Sequence, residues 1–221
     1  MNGPRAILFD LDGVLVNTRD YHFQTWVQVA NDEGISLTRQ EFDHVLRGMR
    51  RTDVLHYLTR GRDYSDRHLQ SMIERKNQYF LECVRSMTAA DLVPGVRPLL
   101  SEIRQAGIKT AVASASKNTK LILERLALTP IFDGIADGFC VCNSKPAADI
   151  FLFAAGLVNV PVASCLALDD KAANIRHIRG TGMHALGIGE KGQFHPDDLV
   201  LPTLAYARLH DIFLCVSHCF L

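Results

Sequence analysis

The chain has 221 residues and a formal net charge of zero, from 24 basic and 24 acidic residues. With 48% hydrophobic and 22% charged residues, its composition is that of a globular protein, which excludes disordered, collagen-like and disulfide-scaffold classes. A zero net charge also excludes a global basic field that would recruit nucleic acid or an anionic membrane. Any anion that this protein binds must therefore be held by a local site.

The apolar runs are short and interrupted by charges, glycine or proline, so none reaches the roughly 20 residues that cross a bilayer. The first apolar run meets Asp10 too early for the core of a signal peptide. The six cysteines then predict reduced thiols rather than a disulfide framework. Cys215, His218 and Cys219 lack an evident fourth ligand, which disfavours a zinc site. We expect a cytoplasmic protein without membrane contact.

The first predicted strand, 5–10, is a near-continuous apolar run that ends in Asp10, as is typical of strands buried on both faces. From residue 18 to about residue 90 the pattern changes to helical periodicity alone. The predicted helices of this stretch are one that ends at Gly34, one opened by a capping-box pattern at 38–41, one over 52–60 and a long one with its apolar face over 69–87.

Beyond a turn-rich segment at 91–95, strands and helices alternate. The predicted strands are 108–113, 134–137, 164–168 and 184–188, and the predicted helices are 96–106, 117–128, 146–158 and 172–179. Such alternation predicts an α/β fold with a doubly wound, Rossmann-like parallel sheet. The predicted domains are an α/β core, residues 1–17 and 91–221, and an all-helical cap, residues 18–90, inserted after the first strand.

Polar residues stand where the predicted strands end, and ligands of open α/β sheets bind at that edge. They are Asp10 and Asp12, then Ser114, then Lys145, then Asp169 and Asp170. Each alone has a plain structural interpretation as a turn former, a surface lysine or a helix cap. Their joint placement at four strand ends favours a site.

The acids of this group predict a bound cation. Asp10 and Asp12 are two residues apart in an extended segment, which directs both carboxylates to one side. With Asp169 and Asp170 close by, the four carboxylates would repel one another unless a cation lay between them. All-oxygen coordination suits Mg²⁺, and Mg²⁺ held by carboxylates indicates a phosphate ligand.

With these motifs in order, the sequence resembles the haloacid dehalogenase superfamily of phosphotransferases. The shared motifs are Asp-Leu-Asp-Gly at 10–13, Ser114, Lys145-Pro146 and the Asp169-Asp170 pair. Within the superfamily the chain is similar to the β-phosphoglucomutases along essentially its whole length. The segments behind this closer similarity are 21–26, 46–48 with Arg51, 75–77, 113–118, 144–146 with 149–151, and 187–189.

The resemblance implies roles for the core residues. Asp10 is expected to be the nucleophile that forms an aspartyl phosphate, and Asp12 the general acid and base. Ser114 and Lys145 are expected to bind the oxygens of the transferring phosphoryl group. The implied Mg²⁺ ligands are Asp10, the backbone oxygen of Asp12, Asp170 and Asp169, the last directly or through water.

A mutase also needs a second phosphate site, because its bisphosphate intermediate must bind in either orientation. Arg51 and the segment 116–118 are the candidates, since guanidinium groups and backbone N–H groups bind phosphate well. For Trp26 an ordinary place in the cap core is an equal alternative, and His22 also has a structural interpretation. The implied substrate-binding residues are His22, Trp26, Gly48, Met49, Arg51, Lys76, Ala115, Ser116, Lys117 and Asn118.

Several positions depart from the family pattern and bear on the choice of substrate. Val45 and Arg50 stand where polar side chains are usual, Asp169 replaces a glutamate, and 171–174 reads Lys-Ala-Ala-Asn. None of these changes removes a catalytic group.

The resemblance thus implies a Mg²⁺-dependent mutase that interconverts β-D-glucose 1-phosphate and D-glucose 6-phosphate, with glucose 1,6-bisphosphate as intermediate and activator. The alternatives are a sugar-phosphate phosphatase on the same scaffold and a catalytically silent binding protein. The expected partner is a small sugar phosphate, with no nucleic acid and no membrane, and the expected state is a monomer.

Overall fold

The chain divides into two compact units, Met1–Asn17 with Met87–Leu221, and Thr18–Ser86. The computed structural model describes residues 3–46, 49, 51–143, 148–216 and 219. The sequence places the first junction after Asn17 and the second after Ala90. Thr88 and Asp91 form a capping box around a short 3₁₀ turn, Ala89–Asp91, in the first unit.

The first unit is built on a sheet in which the described strands all run parallel, in the order β3-β2-β1-β4-β5-β6. This confirms the predicted α/β fold with a doubly wound parallel sheet. Phe9, the last residue of β1, is in register with Val112 of β2 and Leu168 of β4, so the polar residues that follow these three strands meet at one edge. The strands are β1 (Ala6–Phe9), β2 (Lys109–Ala113), β3 (Gly134–Ala136), β4 (Cys165–Asp169), β5 (His184–Ile188) and β6 (Leu199–Leu201).

Both faces of this sheet are covered. Ala6 and Leu8 lie in an apolar cluster with residues of two helices, α7 (Asp149–Leu157) and α8 (Ala172–Arg179). Ile7 and Phe9 point to the opposite face, because side chains alternate along a strand, and they are also fully buried. The helices of the unit are α5 (Val96–Gln105), α6 (Thr119–Arg125), α7 (Asp149–Leu157), α8 (Ala172–Arg179) and α9 (Leu209–Val216).

The second unit consists of α1 (Arg19–Asp32), α2 (Arg39–Glu41), which continues as a π-helical turn (Phe42–Leu46), α3 (Arg51–Thr59) and α4 (Asp66–Ser86). The predicted capping box is confirmed: the Glu41 N–H donates to the Thr38 hydroxyl, and the Thr38 N–H donates to the Glu41 carboxylate at 3.0 Å. Apolar residues from all these helices form its core, among them Trp26, Phe42, Leu55 and Met72.

The sequence analysis predicts neither β6 nor α9, and one predicted helix is much shorter in the structure. β6 has three half-buried residues at the edge of the sheet, and α9 begins eight residues after β6 ends. The helix predicted over 117–128 is confined to Thr119–Arg125, because the residues before it form a turn held by serine hydroxyls. The described part of the chain contains no helix long and apolar enough to cross a membrane.

Candidate active site

Asp10 and Asp12 both follow β1 but lie in different surroundings. The Asp10 backbone N–H continues the ladder to Leu168 at 2.9 Å, its carboxylate accepts the Leu11 N–H at 2.7 Å, and only 4% of the residue is exposed. Asp12 is half-buried and enters a turn in which the Gly13 N–H donates to the Val16 carbonyl at 2.8 Å. One acid is thus held inside the strand ends, and the other stands in a turn closer to solvent.

Three of the predicted metal-binding acids come together. Asp10, Asp169 and Asp170 each offer a carboxylate oxygen, and these oxygens lie within 4.8 Å of one another. At that separation two carboxylates repel by about 3.5 kcal/mol at an effective dielectric constant of about 20. Opposite ligand oxygens in an octahedral Mg²⁺ site lie roughly 4 Å apart, so the spacing and the all-oxygen chemistry of this donor set fit Mg²⁺.

Gly13 allows Asp170 to approach the turn after β1. Its φ is +83°, and a Cβ on this residue would lie 2.5 Å from Oδ2 of Asp170. Glycine is therefore required at position 13 for two reasons: the backbone is left-handed, and the Asp170 carboxylate occupies the space that a side chain would need.

Asp169 is held by Asn174, which lies in the segment 171–174 that departs from the family pattern. It is fully buried; its Oδ1 accepts the Lys171 N–H at 2.9 Å, and the Asn174 side-chain amide lies 2.8 and 2.9 Å from Oδ1 and Oδ2. Asn174 is the third residue of α8, and side chains in the first turn of a helix point back toward its N-terminus. The sequence signal for this contact is an amide side chain at the third position of the helix that follows Asp169 and Asp170.

Ser114 closes β2 and is 1% exposed. Its hydroxyl accepts the Ser116 N–H at 3.2 Å, and the Ser116 hydroxyl in turn accepts the Asn118 N–H at 3.2 Å. Two of the backbone N–H groups that the sequence offers to a phosphate are therefore engaged within the loop. Ala115 and Lys117 are exposed, and Ser116 and Asn118 are half-buried.

The loop after β3 packs against this turn. The Gly138 N–H donates to the Ser116 carbonyl at 3.1 Å, and Lys117 Nζ lies 5.1 Å from the centre of the exposed Phe139 ring. Burial raises the pKa of Asp137, but hydrogen bonds from the Phe139 N–H and Lys120 outweigh it, and the net pKa lies below its ordinary value. Asp137 therefore anchors this loop as a carboxylate.

In the helical unit the structure brings His22 and Lys76 together. Lys76 is only 4% exposed; its Nζ lies 3.0 Å from His22 Nδ1 and 4.5 Å from the centre of the Phe80 ring, on which His22 stacks. Trp26 is 4% exposed within the apolar core of the unit, which favours its structural interpretation. Lys76 Nζ lies 5.8 Å from the indole.

The remaining predicted residues of this unit lie at the start of α3 and before it. Arg51 is the first residue of α3 and is exposed, as are Met49 and Val45. Gly48 and Arg50 lie outside the described residues, and in the other unit so does Lys145.

Comparison with known proteins agrees with this geometry. Residues 4–180 match the family described as haloacid dehalogenase-like hydrolase. The chain is 34% identical over 201 residues to a β-phosphoglucomutase of Bacillus subtilis, covering 89% of this chain and 88% of that protein. It is 25% identical over 186 residues to a phosphorylated carbohydrates phosphatase of Thermotoga maritima, covering 82% of this chain and 83% of that protein.

The solved structures that are similar to this chain include a β-phosphoglucomutase from Clostridium difficile. Its TM-score is 0.85, and the match is 30% identical and covers 97% of this chain and 98% of that one. Its agreement extends over both units of the chain. From the length of the family match and the identity to its curated relatives, the chain belongs to the haloacid dehalogenase-like hydrolase family.

Proposed function

We propose that the chain is a Mg²⁺-dependent phosphomutase that interconverts β-D-glucose 1-phosphate and D-glucose 6-phosphate through glucose 1,6-bisphosphate. One observation carries the proposal: three carboxylates converge beyond β1 and β4 in a chain that is similar to β-phosphoglucomutases over nine-tenths of its length. An acid cluster of this kind, with Asp10 and Asp169 buried and Asp170 half-buried, is suited to phosphoryl transfer.

Asp10 is the nucleophile of the proposed reaction, and Asp12 moves the protons. Asp10 is confined by its bond to the Leu11 N–H, which limits the orientations from which its free oxygen can attack phosphorus. Asp12, half-buried in the turn, protonates the leaving sugar oxygen and deprotonates the attacking hydroxyl. A phosphorylated Asp10 thereby gives its phosphoryl group to the 6-hydroxyl of glucose 1-phosphate, and the resulting bisphosphate returns its 1-phosphoryl group to Asp10 and leaves as glucose 6-phosphate.

Asp10, Asp169 and Asp170, with the Asp12 carbonyl, would hold the Mg²⁺. When bound, Mg²⁺ supplies positive charge against the repulsion of the acids and the phosphoryl oxygens. Ser114 and Lys145 bind those phosphoryl oxygens, and Lys145 neutralises part of their charge.

The candidates for binding the second phosphate of the bisphosphate are Arg51 and the loop 116–118, in which the Ser116 and Asn118 N–H groups are already bonded within the loop. Arg51 is exposed at the start of α3 and offers a planar set of N–H donors. Lys117 adds a second exposed cation at the loop after β2. The cytoplasmic location, the monomeric state and the remaining cap contacts stay predictions.

A phosphatase that acts on sugar phosphates is the second candidate, because a relative of similar coverage is named for that activity. Both reactions pass through a phosphorylated Asp10, and they differ in whether a sugar hydroxyl or water attacks it. The acids of the core serve both reactions equally.

A ³¹P NMR time course distinguishes the two. Purified protein is incubated with β-glucose 1-phosphate, Mg²⁺ and a trace of glucose 1,6-bisphosphate, while glucose 6-phosphate and inorganic phosphate are followed together. Glucose 6-phosphate that forms faster than inorganic phosphate supports the mutase. Inorganic phosphate alone assigns a phosphatase, and no change in either signal contradicts the choice of substrate.

A further inference from the structure

The side-chain amide of Asn174 spans the carboxylate of Asp169. Its Nδ2 lies 2.8 Å from Oδ1 and 2.9 Å from Oδ2, and Asn174 is itself only 3% exposed. The Lys171 N–H approaches Oδ1 from the chain on the other side, at 2.9 Å. The rotation of the Asp169 carboxyl group about its Cβ–Cγ bond is thereby restricted.

We propose that Asn174 is a positioning residue that fixes the Asp169 carboxylate in the orientation that binds the metal ion. The inference rests on the metal site of the proposed function and adds to it a residue that does not bind the ion. Without these donors the Asp169 carboxylate, less than 4.8 Å from the oxygens of Asp10 and Asp170, turns away from the other two charges.

Two features of the chain make Asn174 suited to this role. It is the third residue of α8, a helix packed against β4 and β5, so its backbone is fixed by the same sheet that ends in Asp169. An amide also donates hydrogen bonds without adding charge. It therefore stabilises the Asp169 carboxylate beside the other acids, while the negative charge of all three acids remains available to bind the cation. A lysine at this position would instead compete with the cation.

The test is direct metal binding at 15 °C. Mg²⁺ affinity is measured by isothermal calorimetry, and Mn²⁺ affinity by electron paramagnetic resonance for the weaker variants. Asn174→Leu, which keeps the size of the side chain and removes its donors, is expected to weaken binding about 10- to 100-fold, as is usual for the hydrogen-bond partners of metal ligands. Asn174→Ala serves the same purpose if leucine disturbs the packing of α8.

Gln70→Ala is the matched control, because Gln70 donates a similar amide-to-carboxylate bond to Glu74 at 3.1 Å on the exposed face of α4. Its Mg²⁺ affinity should equal that of the wild type. Circular dichroism and thermal unfolding of each variant without metal separate lost folding from lost binding, since a merely structural Asn174 lowers Tm and leaves the metal Kd unchanged.

The double variant Asp169→Asn with Asn174→Leu shows whether Asn174 acts through Asp169. We expect it to bind metal no more weakly than Asp169→Asn alone, because the residue that Asn174 positions is already altered. An Asn174→Leu protein that is folded and binds within twofold of the wild type overturns the inference, as does an equal loss in both backgrounds. A wild-type protein that takes up neither ion overturns the metal site itself, which separates the two failures.

Discussion

At the scale of single residues, the turn after β1 carries the two acids of the proposed chemistry, Asp10 and Asp12. Their alternation is set by the extended strand, and the turn that follows is set by the left-handed backbone of Gly13. This local geometry can be predicted from the motif. The contact of Asn174 with Asp169 cannot, because it depends on the angle at which α8 leaves β4, which is a tertiary property.

Asp10→Asn is expected to abolish phosphoenzyme formation and to lower turnover at least about 1000-fold, because the amide is a poor nucleophile in a site of nearly the same shape. Phosphoenzyme formation is measured as the radiolabelled phosphate that stays bound to the protein after an acid quench. Asp63→Asn, at an exposed loop position of the helical unit, is the control and should label as the wild type does. Labelling that persists in Asp10→Asn contradicts the assignment of the nucleophile.

Gly13→Ala is expected to weaken Mg²⁺ binding about 10- to 100-fold, because its Cβ would displace the Asp170 carboxylate. Gly107→Ala is a matched control: φ there is +73°, and beyond the adjoining backbone no described atom lies within 4 Å of the added Cβ. Both variants carry the cost of a left-handed alanine, about 1–2 kcal/mol. Similar stabilities with a difference in metal affinity identify the contact with Asp170, whereas equal affinities would show that Gly13 serves the backbone alone.

At the scale of elements, α1 and α4 are joined by a charged network at the end of α1. Arg75 on α4 donates to Asp32 at 2.9 Å and to Glu33, and His68 Nε2 lies 2.9 Å from the other Glu33 oxygen. The Glu33 side chain is 9% exposed. Burial raises the pKa of Glu33, but the bonds from Arg75 and His68 outweigh it and leave the pKa below its ordinary value.

Glu33→Gln therefore has a pH-dependent effect. A carboxyl group whose pKa is lowered by folding stabilises the folded state above its unfolded pKa of about 4.3, and this contribution disappears as the pH falls through the folded pKa. We expect the variant to be less stable than the wild type by about 1 kcal/mol at pH 6, with the difference shrinking toward pH 3. Trp26 is the single tryptophan and lies in this unit, so its fluorescence reports the urea transition of the helical unit.

Glu74→Gln on the same helix is the control for this experiment, since Glu74 makes an exposed bond to Gln70. Its difference from the wild type should be small and should not vary between pH 6 and pH 3. A Glu33→Gln difference that is also constant over this range would mean that the network acts through packing rather than charge.

The order of the elements follows from the sequence, because long periodic runs outweigh local exceptions. The sequence predicts β1 over 5–10, where it spans Ala6–Phe9, and it predicts the capping box of Thr38 and Glu41, which the structure confirms. The sequence does not predict β6, because its three half-buried residues show no alternation of apolar and polar side chains. The strand is stabilised by its pairing with β5. Short elements of this kind are decided by their neighbours.

At the scale of the whole molecule, the two units contribute different parts of the proposed reaction. The parallel sheet brings the acids that follow β1 and end β4 to one edge, where Asp10 is the proposed nucleophile. Mutase activity further requires that a bisphosphate be held at its second phosphate, and Arg51 of the helical unit is assigned to that task. Transfer of the phosphoryl group to water needs no site for a second phosphate. Mutase and phosphatase activity should therefore respond differently to substitutions in the helical unit.

Arg51→Ala is accordingly expected to lower the mutase rate about 10- to 100-fold, the usual effect of one lost charged hydrogen bond, and to change the hydrolysis of the phosphorylated enzyme far less. Coupled assays of glucose 6-phosphate and of inorganic phosphate on the same sample measure both. Arg60→Ala is the matched control, because Arg60 follows α3, is exposed and stacks its guanidinium 3.7 Å from the centre of the Tyr57 ring. An equal loss of both activities in Arg51→Ala would reject Arg51 as the second phosphate anchor, whereas a loss confined to mutase turnover assigns it that role.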